Sequence, residues 1–156
     1  MKRLFLFAVM LSLTAPLSAQ PLFPERCTGI WEGTMYIWGG GQVKDSIPVR
    51  MTIIKQKDSA SWNWKTEYLS PTRPMTKDYL LKLGDAAKRV YVTDEGDGIL
   101  LYDYEFGNKL YSAFSIQGSY LTASYELRDE ALIFEVSSGK TLEPVTNGVT
   151  SYSVNN

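Results

Sequence analysis

The sequence predicts an all-β protein, an antiparallel meander barrel of about 8 to 10 strands. Three observations support this class: short runs of alternating polar and apolar residues recur, turn residues separate them, and no segment shows a helical period. The clearest strands lie between Ile99 and Ser137. There, Gly107-Asn108, Gly118-Ser119 and Asp129-Glu130 predict three tight turns.

The register of these four strands follows if each turn has a two-residue loop. Asp103 is then predicted to face Ser112, and Ser112 to face Tyr125. The predicted inner face is apolar and carries Ile99, Leu101, Leu110, Phe114, Ile116, Leu121, Ala123, Tyr125, Leu127, Leu132, Phe134 and Val136. The outer face is polar, apart from three tyrosines, Tyr102, Tyr104 and Tyr111.

Asp103 is the exception on the inner face, where it forms one predicted cross-strand row with Ser112 and Tyr125. A buried carboxylate needs a cation, hydrogen bonds, water or a ligand, because burying it unpaired is costly. The row could therefore orient the polar group of a ligand in a wet cavity. Alternatively, it could be an internal network that Arg50 or Arg73 completes.

The first half of the chain supplies the remaining strands. Alternation predicts strands over Gly29–Ile37, Ile47–Ile53, Ser61–Leu69, Asp78–Leu83 and Arg89–Thr93. A last short strand over Val149–Val154 is predicted to lie beside the first.

Residues 1–19 have the pattern of a secretory signal peptide. Lys2 and Arg3 precede an apolar run that ends at Leu13, and small residues lead to Ala19. The apolar run is too short to span a bilayer. We therefore expect residues 20–156 to form a single domain that is exported, periplasmic or secreted, and soluble.

The composition excludes several functions. The formal net charge of −1 becomes more negative once Lys2 and Arg3 are removed, which leaves no basic surface for nucleic acid or anionic lipid. The chain has no histidine, so Ser-His-Asp and Cys-His catalysis, histidine-based zinc sites and haem ligation by histidine are excluded. Cys27 is the one cysteine, and it cannot form an intrachain disulfide. We expect no cofactor, no metal site and no membrane insertion.

Gly29-x-Trp31, near the start of the first predicted strand, resembles the G-x-W start of the lipocalin and calycin-like barrels. Three later segments resemble small uncharacterised lipocalin-like proteins of bacteria: Trp62-x-Trp64-x-x-x-Tyr68, Asp94-Glu95 and Phe134-Glu135-Val136. The resemblance implies a barrel with an internal cavity, often for small apolar molecules. The family's usual arginine near the last strand has no clear match here. Its haem-binding members use histidine, so haem binding is not implied.

Inner-face aromatic side chains could form the wall of a ligand cavity, or they could be ordinary core packing. Together with the polar row and Arg73, they give the candidate ligand-binding residues Trp31, Trp62, Trp64, Arg73, Asp103, Ser112, Phe114 and Tyr125. No residue is predicted to be catalytic.

The favoured function is non-covalent binding of a small, partly apolar ligand inside the barrel, by a protein that is not an enzyme. The alternative is a protein-interaction or inhibitor module with a filled barrel, which would bind its partner through the outer tyrosines. The volume of the interior separates the two: a void of several hundred cubic ångströms favours a ligand.

Two weaker possibilities involve carboxylates. Asp94, Glu95 and Asp97 crowd one glycine-rich turn, which could bind calcium but is better explained as a surface turn. Asp103 and Glu105 could form a paired-carboxylate hydrolase site, but they lie side by side on one strand rather than across a cleft. Glu105 is nearer the turn, so we expect it to be nearer to solvent.

Overall fold

A computed structural model describes residues 20–140, 145–146 and 151–152. Nine antiparallel strands follow one another in chain order and form a nearly closed barrel, which confirms the predicted fold class. The strands are β1 (Gly29–Gly39), β2 (Gln42–Lys55), β3 (Ser61–Tyr68), β4 (Met75–Asp85), β5 (Val90–Asp94), β6 (Leu100–Phe106), β7 (Lys109–Ile116), β8 (Ser119–Arg128) and β9 (Ala131–Lys140). One short helix, α1 (Phe23–Arg26), precedes them.

The first hairpin is longer than alternation alone predicted. β1 and β2 continue to a turn at Gly40 and Gly41, whose φ angles of 60° and 74° favour glycine. Two further strands, β10 (Val145–Thr146) and β11 (Ser151–Tyr152), pair with each other. The strand predicted over Val149–Val154 is therefore placed in its described part against β10 and not against β1. The predicted signal peptide lies outside the described residues.

Two of the three predicted registers in the meander are confirmed. Asp103 pairs with Ser112 across β6 and β7, and Tyr125 pairs with Phe134 across β8 and β9. Both hairpins have the predicted two-residue turns. At the first of these turns, Gly107 takes a φ of 63°, as the first position of a type II′ turn requires.

The register predicted for the hairpin of β7 and β8 is wrong by two residues. Its turn is Gln117-Gly118 rather than Gly118-Ser119, with φ angles of 49° and 75°. Positive φ at both central positions is the type I′ geometry, which matches the twist of the flanking strands. Because the shift is two residues, every side chain keeps its predicted face. Tyr125, however, pairs with Leu110, while Ser112 pairs with Ala123.

One end of the barrel is closed by α1. Phe23 and Cys27 are fully buried there, against a core that also contains Ile53, Trp62 and Tyr91. Burial raises the pKa of the Cys27 thiol to about 12. The structure therefore places this cysteine as an unreactive part of the core.

Candidate ligand-binding cavity

The barrel interior holds a cavity of about 350 Å³, a size typical of small-molecule sites. Side chains from β3 to β9 line it, and most of them are aliphatic or aromatic. The lining brings together Leu101 of β6, Phe114 of β7 and Leu121 of β8. The arrangement suits the apolar part of a small molecule, because these walls would be removed from water when it binds.

Three aromatic rings form a continuous part of the wall. The ring of Tyr125 lies edge-on to Trp64, with centroids 5.1 Å apart, and stacks on Phe134, with centroids 4.5 Å apart. Such contacts fix the rings relative to one another. Burial also raises the pKa of Tyr125 far above its ordinary value, so its phenol is neutral at physiological pH.

Asp103 is a buried carboxylate in the wall of this cavity. It is only 4% exposed, and its Oδ2 accepts a hydrogen bond of 2.7 Å from Oγ1 of Thr93 on β5. Burial raises the pKa of Asp103 to about 6, while hydrogen bonding from Thr93 and Ser112 limits the rise. Within the described residues, no arginine or lysine forms an ion pair with it. Among the residues that the structure describes, the hydrogen-bond partners of Asp103 are therefore hydroxyl groups.

Further polar groups line the cavity on β4 and the turn after β5. Lys77 Nζ lies 5.7 Å from the ring centroid of Tyr79, and a hydrogen bond with Tyr79 raises the pKa of Lys77. Glu95 lines the same cavity and adds to that rise. The cavity is therefore amphipathic: apolar over most of its wall, with one lysine and two carboxylates among its lining residues.

Glu105 belongs to the closed end and is buried there, although its exposed fraction of 9% is above the 4% of Asp103, in the predicted order. Its Oε2 accepts hydrogen bonds from the Phe23 amide, at 3.1 Å, and from the Tyr91 hydroxyl. Arg89 and Arg26 approach Oε1 at 3.2 and 3.5 Å. This network joins α1, β5 and β6.

An arginine partner is one of the two alternatives that the sequence leaves open for Asp103, whereas in the structure Arg26 and Arg89 pair with Glu105. Arg50 pairs with Glu32 on the exterior, at 2.8 Å. Arg73 lies in the exposed loop between β3 and β4. Neither forms an ion pair with Asp103, whose hydrogen bonds come from the hydroxyls of Thr93 and Ser112. Whether the row serves a ligand or only an internal network stays a prediction.

Five of the eight candidate ligand-binding residues line the cavity: Trp64, Asp103, Ser112, Phe114 and Tyr125. The other three, Trp31, Trp62 and Arg73, lie outside the lining. Trp62 is fully buried in the closed end, with its ring edge-on to Tyr91. Trp31 donates from Nε1 to the carbonyl of Cys27, at 2.8 Å. That any of the eight contacts a ligand stays a prediction.

The sequence did not single out the cavity residues of β4 and β5. Lys77, Tyr79 and Leu81 alternate along β4 and so share a face, which was a usable signal. How deep these side chains lie in the barrel could not be inferred, because it depends on the pairing of β4 with β3 and β5.

The acidic turn after β5 has structural partners. Asp94 pairs with Lys82 at 2.8 Å and accepts the Gly96 amide, and Asp97 accepts the Ile99 amide. Over the described ranges, no group of three His, Cys, Asp or Glu side chains is placed to hold a metal ion. In the same ranges, no helix is long and apolar enough to cross a membrane.

The fold is an all-antiparallel, nearly closed barrel of nine strands with an interior cavity, and it is consistent with a lipocalin-like fold. Comparisons with models of protein families, with curated proteins and with solved structures found no match. The architecture agrees with the resemblance at Gly29-x-Trp31.

Proposed function

We propose that the protein is a member of the lipocalin-like barrels that binds a small, partly apolar molecule inside its barrel, non-covalently and without catalysis. The observation that supports this most is the cavity of about 350 Å³ with its mainly apolar wall. A filled barrel, which the interaction-module alternative requires, would have no such space.

The wall supports binding because it is already formed. The edge-to-face and stacked contacts of Trp64, Tyr125 and Phe134 hold three rings in place before any molecule enters. A preformed site spends less free energy on ordering side chains when it binds. The buried Asp103 and Ser112 give the wall a polar point that would fix the orientation of the molecule.

Export is the second part of the proposal, based on the signal-peptide pattern of residues 1–19. The test is N-terminal sequencing of the protein purified from its own cells, with a mature terminus at or close to Gln20 expected. A protein recovered from the cytoplasm with Met1 intact would contradict export.

Binding is tested with N-phenyl-1-naphthylamine, an uncharged apolar probe whose fluorescence rises in dry sites. Ala123 lines the cavity, so Ala123→Trp should fill the space and weaken probe binding by at least about tenfold. Ala113 is exposed on the outer face of β7, so Ala113→Trp adds the same indole outside the barrel and serves as the control.

Equal binding by both tryptophan variants, or no binding by the unmodified protein, would contradict the cavity as a binding site. Native mass spectrometry of protein purified from its own cells adds an independent readout. We expect a mass above that of the mature chain, because a bound molecule would be retained.

A second candidate is supported by the outer face of β6 and β7. Tyr102 is 60% exposed and Phe106 66%, and Tyr104 and Tyr111 are exposed beside them. Tyrosine and phenylalanine are enriched in protein interfaces. If this surface binds a protein, a Tyr102→Ser/Tyr104→Ser variant should lose a partner that co-purifies with the unmodified chain, whereas Ala123→Trp should keep it.

A further inference from the structure

Two carboxylates of β6, Glu105 and Asp103, point into the barrel, and their hydrogen-bond and ion-pair partners differ. Glu105 has two arginines, a backbone amide and a tyrosine hydroxyl as partners. Asp103, which is also buried, has the Thr93 hydroxyl at 2.7 Å and Ser112 as its cross-strand neighbour. An ionised carboxylate accepts at about four positions, so these hydroxyls leave it with unused acceptor capacity facing an apolar cavity.

We propose that the cavity takes a cationic amphiphile, in which a protonated amine is bound by Asp103 and an apolar body lies against the aromatic and aliphatic walls. The proposal rests on the proposed function of the cavity and specifies the chemical class of its ligand. An ammonium group carries three N–H donors, and the Asp103 carboxylate with the hydroxyl oxygens of Ser112 and Thr93 offers acceptors around one point. The incoming positive charge would offset the cost of keeping the carboxylate ionised in an apolar site.

Other charged groups near Asp103 could also bind the head group of a ligand. The titratable groups that face it or share its cavity are Tyr68, Lys77, Tyr79, Tyr91, Glu95, Glu105 and Tyr125. The tyrosines stay neutral, because burial raises the pKa of each of the four. Glu105 already forms ion pairs with Arg26 and Arg89. Lys77 is the anchor that an anionic amphiphile would use, and Glu95 is the other carboxylate that a cation could use.

Three probes with the same chain and different head groups test the assignment: octylamine, octanol and octanoate. Each is titrated calorimetrically at pH 7.5 into the unmodified protein, Asp103→Asn and Glu95→Gln. We expect octylamine to bind at least about tenfold more tightly than octanol, because charge-assisted hydrogen bonds are roughly twice as strong as neutral ones. Asp103→Asn should abolish this preference without weakening octanol, and Glu95→Gln should keep it.

The unmodified protein supplies a second test that needs no variant. A proton and an ammonium group compete for the same carboxylate, and the pKa of Asp103 is about 6 without ligand. Octylamine binding should therefore weaken as the pH is lowered from 7.5 to 5. Octanol binding should change little over the same range.

Each contrary result has a defined meaning. Equal binding of the three probes, tighter binding of octanoate, or loss of the preference in Glu95→Gln rather than Asp103→Asn would overturn the amine assignment and leave the cavity as a binding site. Failure of octanol and of N-phenyl-1-naphthylamine to bind at all would overturn the proposed function as well. The two proposals can thus fail separately.

Discussion

Asp103 and Glu105 stand two residues apart on β6 and face the same interior, but within the described part of the chain only Glu105 forms ion pairs with arginine. The difference marks a boundary inside the barrel. On the side of Glu105, α1 closes the end, and Arg26 and Arg89 pair with the carboxylate there. On the side of Asp103, the interior has a cavity large enough to hold a small molecule. Exchanging these carboxylates for uncharged residues should therefore have opposite effects on stability.

Removing the Glu105 carboxylate should destabilise the closed end. Glu105→Ala leaves Arg26 and Arg89 without their shared partner, and we expect a loss of about 3 kcal/mol in the free energy of unfolding. Urea unfolding followed by circular dichroism measures it. Glu135 is exposed on β9, so Glu135→Ala is the control and should change stability by less than about 0.5 kcal/mol. Equal losses in the two variants would show that the network adds no stability.

The stability conferred by Asp103 should depend on pH. Its pKa is raised from 3.8 in the unfolded chain to about 6 in the folded one, so the folded state binds the proton more tightly. The stabilisation from that proton is fully present below about pH 4 and is lost as the pH rises through 6. Asp103→Asn should therefore be more stable than the unmodified protein by about 3 kcal/mol at pH 7.5 and nearly equal to it at pH 4.

Parallel stability curves across this range would mean that Asp103 has an ordinary pKa. The comparison isolates this residue, because the two proteins differ at position 103 alone. Thermal unfolding at several pH values between 4 and 7.5 supplies the measurement.

A substitution in the turn between β7 and β8 should increase the stability of the protein. Gln117 adopts a φ of 49°, a left-handed conformation that asparagine accepts more readily than glutamine. Gln117→Asn should stabilise the protein by about 0.5 kcal/mol. Gly118 has a φ of 75°, so Gly118→Ala should lose about 1 kcal/mol. Thermal unfolding would contradict the observed turn if Gly118→Ala were neutral.

Trp31 should stabilise the protein through its hydrogen bond to Cys27, the residue that directly follows α1. Trp31→Phe removes the donor to the Cys27 carbonyl, and a loss of about 1 kcal/mol is expected in urea unfolding. Trp38 is 67% exposed near the end of β1, so Trp38→Phe makes the same chemical change where little is packed and should have almost no effect. A larger loss in Trp38→Phe would indicate that the hairpin packs differently from the structure described above.

The faces of β6 to β9 could be predicted because each of these strands pairs with its neighbour in the chain. Turn residues and alternation are local signals, and they assigned Leu101 and Phe114 to the interior and Tyr102 to the exterior correctly. The same signals could not detect the register error at Gln117-Gly118. A shift of two residues leaves the alternation unchanged, so the pattern is identical for both registers.

The sequence alone could not predict how deep a side chain lies in the barrel, or which residues far apart in the chain are in contact. Alternation placed both Trp62 and Trp64 on the inner face, but only Trp64 reaches the cavity, because Trp62 lies at the end that α1 closes. The partners of Glu105 include Phe23 and Arg26, far from it in the chain. No local pattern encodes such a contact, since it depends on where α1 docks.

The docking of α1 also bears on the order in which the molecule assembles. Each strand of the meander pairs with the next one, so the sheet can grow through contacts that are close in sequence. The bond between Phe23 and Glu105 joins residues 82 positions apart, and its loop-closure cost falls once the intervening strands are in place. We therefore expect the strands to pair first and the helix to dock afterwards. One end of the barrel would then be closed only in the last step of folding.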